Sequence, residues 1–282
     1  MSPAAAQVRS QIDYLVPSSR INRRFWAPGR ELNTGVYASY EVTIRNARLA
    51  GPFSLDRHGF CLGQHRTEIT DWEQQYAADS VYADQVSEVA AGLSGADLVL
   101  PMGGMLRRSG TITPAFQPPA AEAHVDFTQR SAERIAEARY RKARPQGPGF
   151  RRFLAFSLWR ALSPPPQDMP LALCDGSSVG DHEGTHNTKI DVDELPTGDA
   201  LYAPIAGEED MTAATIFHYS PDHRWWYFPD MTPEEVILIK FYDSDHAGAW
   251  RCPHTAFRDS SRPDARERRS MEFRGIAYFS RA

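Results

Sequence analysis

The chain has 282 residues, with 31 Lys and Arg against 36 Asp and Glu for a net charge of -5. A hydrophobic content of 41%, with 6 Trp, 14 Phe and 11 Tyr, supplies a buried core and excludes wholesale disorder. The arginines are scattered rather than gathered into the basic stripe that nucleic acid requires, and no segment approaches the roughly 20 apolar residues of a membrane span.

Three widely spaced cysteines, Cys61, Cys174 and Cys252, suit a reducing compartment better than a disulfide framework. The expectation is a cytoplasmic protein with neither nucleic acid nor membrane as partner. Its length is compatible with one sandwich or barrel domain over residues 1–282. Composition leaves the oligomeric state open.

Residues 1–30 are polar and interrupted by Pro17, Pro28 and Gly29, which predicts an irregular N-terminal arm. From Asn33 to Arg48, partial alternation of Val36, Tyr40, Val42 and Ile44 predicts a strand. Thr70 to Leu93, with Val81, Val86 and Val89, carries helical spacing for one or two helices, and Asp97 to Met105 reads as the strand leaving them. A proline-rich stretch from Pro114 to Pro119 leads into a short apolar segment at His124. Thr128 is then a natural N-cap for a charged helical insertion over 129–145. Beyond Phe150 the pattern changes to short apolar runs separated by turn residues: 153–162, 170–174, 211–219, 224–228, 235–242, 254–257 and 270–279. Such repetition argues for a mainly β chain with flanking helices, an antiparallel sandwich or jelly roll.

His124-Val125-Asp126 ends the short apolar segment, and on a strand residues i and i+2 share a face. One imidazole and one carboxylate reaching a common point are two thirds of the 2-His-1-carboxylate triad that holds non-haem Fe(II) and leaves one face open. Among the nine histidines, His254 opens a strand-like run and is the best third ligand, with His223 and His246 as competitors in turn-like contexts. Further on, Arg268 and Ser270 stand at i and i+2, where a guanidinium fork and a hydroxyl can grip a carboxylate together. An aromatic run at Trp225, Trp226, Tyr227 and Phe228 reads as core before it reads as pocket lining.

A set of longer motifs runs in order from residue 28 to the end. It includes Pro-Gly-Arg-Glu-Leu-Asn-Thr-Gly-Val-Tyr (28–37), Leu-Asp-Arg-His-Gly-Phe (55–60), His-Val-Asp-Phe-Thr (124–128), Leu-Trp-Arg (158–160) and Pro-Leu-Ala-Leu-Cys-Asp-Gly-Ser-Ser (170–178). It continues with Trp-Tyr-Phe-Pro-Asp-Met-Thr-Pro-Glu-Glu-Val (226–236), Lys-Phe-Tyr-Asp-Ser (240–244), Pro-His-Thr-Ala-Phe (253–257) and Arg-Arg-Ser-Met-Glu-Phe-Arg (268–274). With these the chain resembles the fungal and bacterial hydroxylase/desaturase family of secondary metabolism, which includes gibberellin desaturase and proteins related to cephamycin 7-alpha-methoxylation. The resemblance implies a double-stranded β-helix, or jelly roll, that uses Fe(II), 2-oxoglutarate and O2 to hydroxylate, desaturate or cyclise a small natural-product intermediate. It also implies His124, Asp126 and His254 on the iron, and Arg268 and Ser270 on the cosubstrate, with Arg274 as the nearest rival. Two departures stand out. Ser157 replaces a common Asn before Leu-Trp-Arg-Ala, and Arg269 replaces a usual Glu, placing a further cation beside the clamp.

Two other functions have a footing in the residues. His182-Glu183-Gly184-Thr185-His186 matches the His-Glu-x-x-His pattern of zinc hydrolases, although its glycines, Thr185 and Asn187 make a poor helix and a loop is expected. A jelly roll that merely binds a small molecule is the third reading, opposed by a carboxylate clamp that such a module would not need.

Overall fold

The computed structural model describes residues 4–28, 30–110 and 115–280. Gly29 and Pro114, used above as chain breaks, lie outside the described residues. Among the described residues, fifteen strands are arranged in two sheets. They are β1 (Gln7–Leu15), β2 (Arg23–Ala27), β3 (Arg30–Asn33), β4 (Tyr37–Asn46), β5 (Phe60–Gln64), β6 (Leu98–Arg108), β7 (His124–Val125) and β8 (Phe150–Ala161). The remainder are β9 (Leu171–Cys174), β10 (Thr185–Asp191), β11 (Ala213–Ile216), β12 (Trp225–Tyr227), β13 (Glu235–Asp243), β14 (His254–Ala256) and β15 (Arg269–Ser280). Helices are few: α1 (Leu55–His58), α2 (Val81–Ser94) and α3 (Gln129–Ala143), besides single 3-10 turns.

The larger sheet runs β1-β4-β12-β9-β14-β7-β11-β10-β2-β3 and the smaller β5-β13-β8-β15-β6. Pairing is antiparallel except for β2 with β10 and β4 with β12. This is the jelly roll expected from the repeated short apolar runs. In the smaller sheet β13 has every residue buried, because one face meets the core that includes Trp159, Ile237, Ile239 and Phe241 while the other is covered by α2. Tyr82, Ala83, Val86 and Ala90 form the buried stripe of that helix, which starts at the Ser80 cap and stops at Gly95 in the left-handed region.

The N-terminal segment differs from expectation. The arm predicted over residues 1–30 contains β1 and β2, and Val8, Ile12, Tyr14 and Leu15 are buried. Pro17 and Pro28 fall in turns just after these strands, so the breakers punctuate strands rather than forbid them. The pairing that creates β1, from Gln7 with Arg45 to Leu15 with Tyr37, reaches about thirty residues along the chain and leaves no local signal. The helical spacing over 70–93 resolves into α2 and a 3-10 turn at Trp72–Gln74. Helix α3 follows its expected span closely, with Thr128 and Ser131 forming a reciprocal cap worth about 1 kcal/mol.

Candidate metal and anion site

Strands β7 and β14 pair antiparallel with His124 directly opposite His254, so the two side chains leave the larger sheet on one face. Their ring centroids are 4.6 Å apart. Each ring is fixed by the carbonyl two residues back: His124 Nδ1 lies 2.9 Å from Glu122 O, and His254 Nδ1 lies 3.1 Å from Cys252 O. A carbonyl can only accept, so both Nδ1 atoms carry hydrogen and a neutral ring presents its Nε2 lone pair inward. Phe241 stacks on His254 at 5.3 Å. Asp126, two residues after His124, turns to the same point, with Oδ1 3.5 Å from His124 Nε2.

Ligand atoms of His124, Asp126 and His254 all lie within 4.8 Å of one another, the one such cluster of three among the described residues. Burial, and then His124, push the His254 imidazole down to about 4. Burial opposes charge on His124 too, but the carboxylates of Asp126 and Glu122 outweigh it and raise that imidazole. For Asp126, burial is outweighed by Arg274 and both imidazoles, which hold its carboxyl well below the usual range.

One cleft joins the imidazoles to the smaller sheet, lined by His124, His254, Ser157, Trp159, Arg268 and Glu272 among others. Arg268 is 2% exposed; it donates from Nη1 to Met169 O at 2.6 Å, lies 5.8 Å over the Trp159 ring, and has no acceptor for Nε. Burial and the neighbouring Arg107 push its guanidinium down to about 9, leaving it charged at neutral pH and short of a counter-ion. Ser157 Oγ and Ser270 Oγ are also buried without partners. Ser270 is not among the residues lining the cleft, whereas Ser157 on β8 is.

The other sequence candidates go elsewhere. Arg274 Nε is 2.7 Å from Asp126 Oδ2, and its Nη2 is 2.6 Å from Glu272 Oε1. Arg269 is exposed, facing away from the cleft over Phe116. His223 is tied between Tyr14 OH at 3.1 Å and Glu183 Oε2 at 2.7 Å, and His246 stacks on Trp250. The His182-to-His186 segment is a turn entering β10, with both histidines exposed and no helix to align them. Trp225 and Tyr227 are core, Trp225 donating from Nε1 to Tyr14 OH at 2.8 Å. Arg107 and Glu272 were not singled out in the sequence. The signal was there, since residues 268, 270, 272 and 274 alternate along one strand and bring their charges to one face.

The donor set fits a hard or borderline divalent ion such as Fe(II), two imidazole nitrogens and a carboxylate oxygen with room on one side. The unpaired guanidinium at the far end of the cleft fits a carboxylate. Comparison with known proteins bears on the family and the fold. A family model described as an oxidoreductase/YMDC permease-like domain matches residues 13–278. The hydroxylase/desaturase CTB9 of Cercospora beticola is 30% identical over 238 residues, covering 78% of this chain and 71% of that protein. The chain belongs to this oxidoreductase family of hydroxylases/desaturases. A second hydroxylase/desaturase, efuI of Hormonema carpetanum, is 29% identical over 260 residues, covering 86% of this chain and 85% of its own length. The solved structure of the iron and alpha-ketoglutarate-dependent endoperoxidase NvfI superposes with a TM-score of 0.79 at 22% identity, over 98% of this chain and 99% of that one. That likeness fixes the fold of this hydroxylase/desaturase relative. No helix among the described residues is long and apolar enough to cross a membrane.

Proposed function

We propose that this chain is an Fe(II)- and 2-oxoglutarate-dependent oxygenase that holds the ion on His124, Asp126 and His254 and the distal carboxylate of 2-oxoglutarate on Arg268. The observation that carries the reading is a three-ligand cluster within 4.8 Å, two of whose members, His124 and His254, line the same cleft as the buried guanidinium of Arg268, which makes no ion pair among the described residues. When bound, iron with 2-oxoglutarate and O2 supplies an oxidant for unactivated C–H bonds, with succinate and CO2 as co-products. The chain's own residues do the rest. The two carbonyls fix the imidazoles, Arg268 and a serine hydroxyl, from Ser157 or Ser270, hold the cosubstrate, and Phe241 and Trp159 exclude water from the cleft.

The substrate is a small molecule, and we assign it to the natural-product intermediates on which hydroxylases and desaturases act. Whether a hydroxyl, an alkene or a ring results depends on which hydrogen is held nearest the oxidant. The three cysteines are buried and unpaired, as suits work in the cytoplasm. The test is an anaerobic titration with Fe(II) and 2-oxoglutarate, followed by aerobic succinate analysis and a mass-spectrometric screen of candidate metabolites. A metal-to-ligand charge-transfer band and succinate formation are expected. Their absence in properly folded protein overturns the assignment.

A further inference from the structure

Arg274 is a second, partly buried guanidinium on β15, beside the cleft rather than among its lining residues, and the reading above gives it no task. It sits in a chain of alternating charge. Arg107 Nε is 2.7 Å from Glu272 Oε2, Glu272 Oε1 is 2.6 Å from Arg274 Nη2, and Arg274 Nε is 2.7 Å from Asp126 Oδ2. The neighbours of Arg274 across the sheet are Ser157 on β8 and Gly103 on β6, both small, and a β-bulge follows at Gly275. Small neighbours leave room for the guanidinium to lie between the strands, and a bulge re-aims the side chain beside it. The planar fork then spans Asp126 and Glu272 at once, which a lysine ammonium on a flexible stem does not do.

This arrangement distinguishes the two oxygens of Asp126. Oδ2 is in ion-pair contact with Arg274, whose Nε–H is not aligned for a hydrogen bond, and Oδ1 faces the His124 imidazole. A cation beside an anionic ligand opposes divalent-ion binding by simple Coulomb repulsion, so ion affinity does not explain its presence. We infer that Arg274 is a positioning residue: it occupies Asp126 Oδ2 so that only Oδ1 is offered to the ion, and the places that a 2-oxo acid needs stay free. The inference rests on the iron and 2-oxoglutarate reading, and it takes Arg274 out of contention for the cosubstrate's distal carboxylate.

Pyruvate separates the two roles, because it has the 2-oxo acid head of 2-oxoglutarate and lacks the distal carboxylate. The experiment measures Fe(II) affinity anaerobically, then titrates the Fe(II)-loaded protein with 2-oxoglutarate and with pyruvate, following the charge-transfer band. In Arg274→Gln, both oxo acids should weaken by the same factor, about tenfold or more, as other groups that orient metal ligands do. Fe(II) affinity should hold or rise, since a neighbouring positive charge has gone. Arg274→Lys keeps the charge and serves if the glutamine variant does not fold; its loss should be smaller and again equal for the two acids. Loss of 2-oxoglutarate affinity alone would make Arg274 a clamp and overturn the inference. Unchanged affinities, or loss of Fe(II) binding itself, would overturn it as well. A wild-type protein giving no band with either acid would instead bring down the iron and 2-oxoglutarate reading.

Discussion

The two sides of the cleft are held by opposite means. On the larger sheet, His124 and His254 are fixed by strand register and by carbonyls two residues away on their own segments, so local backbone geometry sets where the two rings point. On the smaller sheet, Arg107, Glu272 and Arg274 are held by charge balance, whereas Arg268 is held by the Met169 carbonyl and makes no ion pair among the described residues. The comparison teaches that the imidazole side is organised by the backbone, whereas the guanidinium side is organised by side-chain charges, with one cation left for the proposed cosubstrate. Each can be broken separately.

The largest effect is expected where the two sides meet. Asp126→Ala removes a proposed iron ligand and also leaves the partly buried Arg274 with Glu272 as its remaining carboxylate among the described residues. It should abolish the charge-transfer band and lower stability by about 1–3 kcal/mol, less than breaking a fully buried ion pair because the guanidinium keeps some contact with water. His124→Ala should abolish the band without stranding that cation. Anaerobic spectra and thermal melts check both, and a band surviving in either variant means the ligands are misassigned.

Arg268→Leu probes the guanidinium side alone. It should weaken 2-oxoglutarate about 10- to 100-fold, the worth of charge-assisted hydrogen bonds, while leaving pyruvate untouched. Without ligand, the same variant should be no less stable than wild type, because a buried cation short of its counter-ion gives way to an apolar side chain. Calorimetric binding and melting curves decide; a strongly destabilised variant would mean that the Met169 carbonyl bond is what Arg268 is for.

A smaller effect concerns pH. The His254 imidazole is depressed to about 4, so folded protein leaves it neutral where an unfolded chain, with a value near 6.5, would bind a proton. Between those values the unfolded state takes up more protons, and metal-free stability should fall as pH drops through that window. Melts of the metal-free protein across it should show the loss, and His254→Gln should flatten it. An unchanged slope in the variant would assign the pH dependence to other groups. The least effect is expected at His186, which is exposed on β10: His186→Ala should stay within about 0.5 kcal/mol and leave 2-oxoglutarate turnover unchanged. Lost turnover there would restore the His-Glu-x-x-His segment to consideration.

Sequence by itself determined the elements whose cause is local. The cap at Thr128, the all-buried strand at 235–243, the repeated short strands after residue 150 and the two-residue spacing of His124 and Asp126 are all written in neighbouring side chains, and the fold class follows from them. The family motifs added His254 to that pair. Only the tertiary structure decided which guanidinium faces where. Arg268, Arg269 and Arg274 look interchangeable along the chain, and their tasks part because alternation turns Arg269 outward while Asp126, arriving from the opposite sheet, takes Arg274. The same cause hid β1, whose partner lies on another segment, since a hydrogen-bonded ladder or an ion pair between distant strands is set by where the sheets bring them and not by the residues on either side.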